Sequence, residues 1–121
     1  MNIINLEIRA IPKGRPRFAG NHSYTPKRTR EYETEIKTQL SKKITHRPLK
    51  GKIRMVLNFG FKKAKTSKLT YPHYDLDNLI KSFLDGAQGV LFENDKQITE
   101  LEAFKTYSKN DLIVVIYKEI A

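Results

Sequence analysis

Alternation of apolar and polar residues predicts two strands in the first half of the chain. Across residues 2–11 apolar side chains recur at every second position, beginning with Ile4 and Leu6. The same period of two recurs across residues 52–61 and gives one apolar face, made of Ile53, Met55, Leu57, Phe59 and Phe61. Because successive side chains of a strand point to opposite faces, both segments are predicted to be strands with one buried face.

Two segments show the longer spacing of a helix. Tyr32, Ile36, Leu40 and Ile44 repeat every four residues, behind Thr25 as the predicted N-cap and Pro26 as the first helical residue. The stretch "YDLDNLIKSFLDG", residues 74–86, leads into a second helix. Its predicted core-facing stripe consists of Leu79, Ile80, Phe83, Leu84 and Ala87.

The last third of the chain is predicted to be extended. Residues 97–107 alternate imperfectly, and residues 111–118, "DLIVVIYK", form a β-branched run suited to a buried strand. The intervening "SKND" predicts a hairpin turn between them. The resulting order β-α-β-α-β-β predicts an α/β fold, a single domain over residues 1–121 with helices packed on a mixed sheet.

Charge is unevenly distributed along the chain. The net charge is +10, and residues 1–74 hold 18 Lys and Arg against 4 Asp and Glu, whereas residues 75–121 hold 5 against 9. Such segregation favours a polyanionic partner over a merely basic surface. The chain has no cysteine, no apolar run of membrane-spanning length and no signal-peptide pattern at its start. We therefore predict a cytoplasmic protein without a membrane partner.

Two predicted loops, "PKGRPRFAGNHSYTP" and "KKAKTSKLTYPHY", concentrate the positive charge. Their candidate contacts to DNA phosphates are Lys13, Arg15, Arg17, Lys62, Lys63, Lys65 and Lys68. Phe18 or Tyr24 is a candidate for stacking on an exposed base. For each of these residues the alternative is an ordinary side chain that faces solvent.

A group of acids lies at the start of the second helix. Asp77, Lys81 and Asp85 share one helix face, Asp75 lies just before the helix, and the following turn could bring Asp95 back toward the same helix end. One interpretation is an N-cap followed by a solvated ladder of ion pairs. A calcium loop of the EF-hand type is excluded, because a loop counted from Asp75 has apolar residues at its fifth and sixth positions.

The other interpretation is a site for a divalent cation. Carboxylates without a metal ion would repel DNA, whereas Mg²⁺ held by a few carboxylates activates water and offsets charge on a leaving oxygen. Lys81 would then contact the scissile phosphate. His22, His46 and His73 share no ligand spacing, and the roles of His73 and Asp85 stay open.

These motifs resemble a known family. "DLDNLIK", the following Asp85 and "LFENDKQI" are similar to the pattern D-x-D-N-x-x-K-x-x-x-D and then D-x-Q-[IV] of the RusA-like Holliday junction resolvases. "KGRPRF" and "YTPKRTREYE" resemble the N-terminal segments of the family's phage and Gram-positive branch. Some members have two consecutive acids where this chain has Asn94 and Asp95, so Asn94 is not expected to be needed as a charge.

The resemblance implies a homodimeric endonuclease that nicks four-way DNA junctions in recombination and repair, with Mg²⁺ or Mn²⁺ as cofactor. It further implies Asp75, Asp77 and Asp95 as metal ligands and, together with Lys81, as the catalytic residues. Two alternatives remain, a metal-dependent nuclease for broader branched or flap substrates and a non-catalytic nucleic-acid-binding protein. The chain has one acidic motif and no internal repeat, so paired nicks would require two copies related by a two-fold axis.

Overall fold

Alternation accounts for the central strand of the structure. The computed structural model describes residues 1–14, 17–20, 22–24 and 26–121, and the side chains of residues 1–14, 20 and 26–121. In strand β4 (Lys52–Lys62), the five apolar side chains predicted to face the core are at most 1% exposed. The described elements are β1 (Asn2–Leu6), β2 (Arg17–Ala19), β3 (His22–Tyr24), α1 (Lys27–Lys43), β4, α2 (Leu76–Ala87), a 3₁₀ turn (Asp95–Gln97), β5 (Ile98–Ser108) and β6 (Leu112–Ile120).

The main sheet is mixed and has the order β1-β6-β4-β5. Strand β4 runs parallel to β5 and antiparallel to β6, and β1 pairs antiparallel with β6. Both helices pack against one face of this sheet. The predicted α/β fold and its order β-α-β-α-β-β are confirmed, with a short β2–β3 hairpin added inside the first basic segment. Neither described helix is long and apolar enough to cross a membrane.

The predicted hairpin between the last two strands is wrong. Strands β5 and β6 do not pair with each other, because β4 lies between them and pairs with both. Their connection crosses the end of β4 at Gly60, where an added Cβ would lie 2.6 Å from Ser108 Oγ. Turn residues predict that the chain reverses, but they do not specify which strand lies alongside.

The first strand is shorter than its alternation suggests. It ends at Leu6, and the Glu7 N–H donates to Gln39 Oε1 of α1 at 2.9 Å instead of continuing the sheet. Ala10 and Ile11 nevertheless stay buried. Of the two alternating positions beyond Leu6, Ala10 is buried and Ile8 is only half-buried, while Ile11 is out of phase with the alternation, so the pattern marks buried positions only in part once strand pairing stops.

The first helix begins one residue later than predicted. Pro26 occupies the N-cap position of α1, and Thr25 lies outside the described residues. Tyr32, Ile36 and Leu40 are buried as expected. The difference is of the size usual at helix ends.

In the second helix the predicted stripe is only partly correct. Leu79, Phe83 and Ala87 are fully buried, whereas Ile80 and Leu84 are half-buried at its edges. Gly86 does not stop the helix. It lies where α2 meets α1, and an added Cβ would approach three Ile36 side-chain atoms to 3.2 Å. The glycine therefore allows the two helices to pack closely.

Candidate active site

Asp75 occupies the N-cap position of α2 but does not cap it. Its backbone is extended, with φ −68° and ψ 126°, and its carbonyl accepts from the Leu79 N–H at 3.1 Å. Its side chain accepts no capping hydrogen bond and is exposed. The N-cap interpretation of this carboxylate is therefore not supported, because a capping side chain would accept an N–H of the first turn.

Asp77 lies exposed in the first turn of the same helix. Within the part of the chain whose side chains are described, neither Asp75 nor Asp77 forms a side-chain hydrogen bond or an ion pair. Negative charge near the start of a helix is favoured by the helix dipole. Two solvent-facing carboxylates are thus available to a ligand at this helix end.

A chain of charged side chains runs along α2 toward its other end. Lys81 Nζ donates to Asp85 Oδ1 at 3.1 Å, and Lys13 Nζ lies 2.9 Å from Asp85 Oδ2. Lys13 also donates to Glu33 Oε1 of α1 at 2.8 Å, and Lys81 Nζ lies 3.9 Å from Asp95 Oδ2. We call these five residues the ion-pair chain. It links the N-terminal segment, both helices and the 3₁₀ turn.

The ion-pair chain shifts the pKa of two of its members. Partial burial opposes ionisation of Asp85, but the hydrogen bonds from Lys13 and Lys81 outweigh it and lower the pKa of that carboxyl. For Lys13, partial burial likewise opposes the charged form, while hydrogen bonds to Glu33 and Asp85 raise its pKa overall. Both residues are therefore held in their charged forms over a wide pH range.

Asp95 is positioned by the turn that contains it. The Asn94 side chain accepts from the Lys96 N–H at 3.0 Å, and Gln97 Oε1 accepts from the Asn94 N–H at 2.7 Å, which completes a capping box. Gln97 Nε2 also donates to two carbonyls at the start of β4. Asn94 therefore acts as a cap of this turn.

The three aspartates predicted as metal ligands form no metal-binding group among the described residues, and their role stays a prediction. Asp75 lies at the start of α2, while the Asp95 N–H donates to Gln88 Oε1 at the helix C-cap. The Asp95 Oδ2 atom lies 3.9 Å from Nζ of Lys81, a residue in the middle of this 12-residue helix. Among the described residues, no group of three histidine, aspartate or glutamate side chains is arranged to hold a metal ion.

The basic residues of the two loops differ in their surroundings. Four lysines are exposed at the end of β4 and in the segment that connects it to α2, namely Lys62, Lys63, Lys65 and Lys68. Lys13 instead points into the ion-pair chain, with a side chain only 28% exposed. The side chains of Arg15, Arg17, Phe18, His22 and Tyr24 lie outside the described residues.

The two histidines whose side chains the structure describes are one residue remote from the acids and one adjacent to them. His46 Nε2 lies 2.8 Å from the Tyr117 hydroxyl, away from the start of α2. His73 is exposed, two residues before Asp75, and its ring lies 4.1 Å from that of Tyr74. Sequence reasoning missed the surrounding tyrosines, because residues distant in the chain bring them together.

Comparison with known families identifies the chain. A family model described as Endodeoxyribonuclease RusA matches residues 7–117. The chain belongs to the RusA endodeoxyribonuclease family. No curated protein matches it at a significant level. As a RusA-family member the chain is an endodeoxyribonuclease of a family that acts on Holliday junctions, and the match includes the acids at α2, the ion-pair chain and both basic segments.

Proposed function

We propose that this RusA-family chain resolves four-way DNA junctions by metal-dependent hydrolysis of phosphodiester bonds. The observation that carries the proposal is the pair Asp75 and Asp77, exposed carboxylates that neither cap α2 nor pair with a described side chain. Two unpaired acids in a chain with net charge +10 would disfavour DNA binding if they remained uncompensated. A divalent cation supplies that compensation.

The donor set fits Mg²⁺, with Mn²⁺ as the alternative ion. Mg²⁺ takes oxygen ligands and is commonly bound by one or two carboxylates, with water and phosphate oxygens completing its coordination. We propose Asp75 and Asp77 as ligands in one chain, and Asp95 as a third ligand that must shift from its place beside Lys81. When bound, the ion would lower the pKa of the attacking water and offset charge on the leaving oxygen.

Lys81 is the proposed contact to the scissile phosphate. Its side chain is 57% exposed, while Asp85 fixes its ammonium group on the acidic face of α2. An ammonium held in place stabilises charge that develops on the phosphate without needing to reorganise. The catalytic set proposed is therefore Asp75, Asp77, Lys81 and Asp95.

DNA binding is assigned to the two basic segments. The exposed lysines at 62, 63, 65 and 68 precede α2 directly, so they lie on the chain that leads to the acids. Lys13, Arg15 and Arg17 are the proposed contacts from the first segment, with Lys13 required to exchange a carboxylate partner for phosphate. These contacts position the duplex arms without reading sequence.

We further propose paired nicks made by a homodimer. One chain offers one pair of aspartates at the start of α2, and a junction has two strands related by a two-fold axis. A role in recombination and repair, and a location in the cytoplasm, are part of the same proposal.

The test is cleavage of a substrate panel of duplex, flap and four-way junction, with and without Mg²⁺, by the wild type and by Asp77→Asn. We expect symmetric nicks in the junction that require the ion, and loss of cleavage in Asp77→Asn with junction affinity unchanged or higher. Glu31→Gln, which removes one exposed negative charge from α1, is the control and should cut normally.

Other outcomes would assign other functions. Cleavage of flaps as efficient as that of junctions would indicate a broader nuclease. Binding without cleavage under any metal condition would indicate a non-catalytic DNA-binding protein. An Asp77→Asn protein that cuts at the wild-type rate would refute the metal site, since asparagine lacks the negative charge that a carboxylate ligand gives to the ion.

A further inference from the structure

An exposed group of aromatic rings and lysines lies directly before Asp75. Tyr71 is 56% exposed, His73 is exposed and Tyr107 of β5 is half-buried. The Lys105 ammonium lies 5.5 Å from the Tyr71 ring centroid, and the Lys63 ammonium lies 5.3 Å from that of Tyr107. Both distances are within the range of a cation–π contact. We call these five residues the stacking surface.

Two side chains of strand β5 hold the backbone of the stacking surface in place. The Tyr107 hydroxyl donates to the Tyr71 carbonyl at 2.9 Å, and Lys105 Nζ donates to the Tyr74 carbonyl at 2.7 Å. These bonds hold the segment before α2 against strand β5. The exposed rings therefore lie on a backbone that two side chains of the sheet position.

His73 is the outer ring of a stack that begins in the core. Phe61, which is 1% exposed, stacks on Tyr74 with ring centroids 5.1 Å apart, and Tyr74 lies 4.1 Å from His73. Beside this stack is an open cleft of about 100 Å³, and its lining includes Ser67, Pro72 and Tyr107. The stack presents an aromatic face and the cleft leaves space next to it.

The fold does not account for the exposure of these rings. Burial of an aromatic ring contributes to stability, and Tyr71 leaves more than half of its surface in water. Exposed rings flanked by ammonium groups match the chemistry of proteins that bind single-stranded DNA, where bases stack on aromatic side chains and lysines meet the backbone.

We propose that the stacking surface binds one unpaired nucleobase of the DNA substrate, with Tyr71 and His73 as the rings that contact it. A paired base has both faces covered by its neighbours in the duplex, so only an unstacked base can offer a face to these rings. The proposal rests on the proposed function for the identity of the substrate. Stacking accepts any base, so this site does not by itself read sequence.

The position of the stacking surface gives it a role in placing the cut. Tyr71 and His73 precede Asp75 by four and two residues on one short segment. A base held there fixes which phosphate of the same strand reaches Asp75 and Asp77. The distance of the nick from the branch point would then depend on this contact.

The first experiment measures binding without divalent metal and without a junction. Wild-type protein is titrated with a single-stranded thymidine oligonucleotide and with an abasic oligonucleotide of equal length. We expect the wild type to prefer the thymidine strand by about 5- to 150-fold, the range for stacking of one base. The Tyr71→Ala/His73→Ala variant should lose that preference, while Tyr71→Phe and the control Leu69→Ala, an exposed apolar residue of the same segment, should keep it.

The second experiment uses four-way junctions that carry one abasic residue beside the branch point. The affinity of the wild type should fall at one such position, and Tyr71→Ala/His73→Ala should be insensitive there. Equal sensitivity of wild type and variant to base removal, in oligonucleotides and junctions, would overturn the proposal. Failure of the wild type to cut junctions would instead refute the proposed function. The oligonucleotide titration would still decide whether the stacking surface binds a nucleobase.

Discussion

A single carboxylate, Asp85, connects the N-terminal segment to the residue proposed for catalysis. One of its oxygens accepts from Lys81 and the other pairs with Lys13, so removal of its charge affects both lysines. Lys81 is more than half exposed and would otherwise sample many rotamers. The ion-pair chain thus contributes to stability and also restricts where the Lys81 ammonium lies.

The stability contribution of Asp85 should depend on pH with a definite sign. Its pKa in the folded protein is below its ordinary value of 3.8, so its contribution is complete above pH 3.8 and is lost as the pH falls through the lower folded value. We expect Asp85→Asn to lower the free energy of unfolding by about 1–2 kcal/mol at pH 7. Urea unfolding of both proteins from pH 7 to pH 2 should show this difference shrinking at the acid end.

The control for this measurement is Glu31→Gln, which breaks an exposed Lys27–Glu31 pair with the same spacing of four residues and an N–O distance of 3.7 Å. Such exposed pairs contribute little, so its unfolding free energy should match the wild type within about 0.5 kcal/mol. A difference for Asp85→Asn that stays constant down to pH 2 would show that the lost contribution is not electrostatic.

Sequence alone predicted only the local part of this network. Lys81 and Asp85 are four residues apart on a helix, and their pairing follows from the helical repeat. Lys13 was predicted to contact DNA, because a lysine in a basic loop gives no indication that the fold brings it to a carboxylate 72 positions away. The position of Asp95 beside Lys81 likewise depends on the turn held by Asn94 and Gln97.

At the scale of elements, the segment between β4 and α2 contains exposed lysines and leads along the chain to the acids Asp75 and Asp77. It contains the exposed Lys63 and Lys65 and the rings before Asp75, and it follows Lys62, the exposed last residue of β4. The backbone N–H of Lys62 donates to Asp111 Oδ1 at 2.9 Å, which holds the start of the segment beside the residue that precedes β6. The lysines of this segment therefore extend from a backbone that is held in place beside the proposed site.

Substitution of Lys62, Lys63 and Lys65 together by alanine should weaken junction binding and make it less dependent on salt. Each phosphate contact contributes a slope of about −0.9 to log K against log salt, so the variant slope should be shallower by up to about 3. The measurement is a binding titration at several salt concentrations. In the control, Lys42, Lys50 and Lys52 are replaced together, which removes equal charge at the other end of β4 and should leave the slope nearer to that of the wild type. An unchanged slope in the first variant would place this segment away from DNA.

Element types were predictable where burial and periodicity coincide, and strand pairing was not. The alternation in β4 gave the correct buried face because that strand lies at the centre of the sheet. In β5 the alternation is imperfect because it is an edge strand, with Leu101 and Phe104 exposed on opposite faces. The position of β4 between β5 and β6 depends on contacts between residues far apart in the chain, so no short stretch of sequence predicts it.

At the scale of the whole molecule, one face of the sheet is covered by neither of the two described helices. Strand register places Ile3, Val56 and Ile116 in one row of this outer face and Phe104 and Val114 in the next. Ile3 is 65% and Phe104 49% exposed. Four strands about 4.8 Å apart, nine residues long on average, give a face of roughly 600 Å². That area approaches the roughly 800 Å² per partner of a stable interface.

Charge on the outer face also suits a second copy. Arg54 lies beside Glu100 and Glu102 at N–O distances of 3.5 and 3.9 Å, so both signs occur next to each other. In a dimer with a two-fold axis, the outer faces of the two copies contact each other. Positive side chains of one copy can then lie against negative side chains of the other. The homodimer proposed for paired nicks therefore has a candidate interface that leaves the helix-covered face free.

We expect the wild type to sediment as a dimer at micromolar concentration and the double variant Ile3→Glu/Phe104→Glu to sediment as a monomer. Glutamate at these positions would place a charge inside the apolar interface at a cost that disfavours association, while both residues are exposed enough in one chain for folding to persist. Leu101→Glu is the matched control, because Leu101 lies on the same strand but faces the helices, and it should remain dimeric. The monomeric variant should nick one strand of a junction without the paired second nick. A wild type that is monomeric while making paired nicks at the same concentration would refute the dimer, and a dimeric double variant would refute this interface.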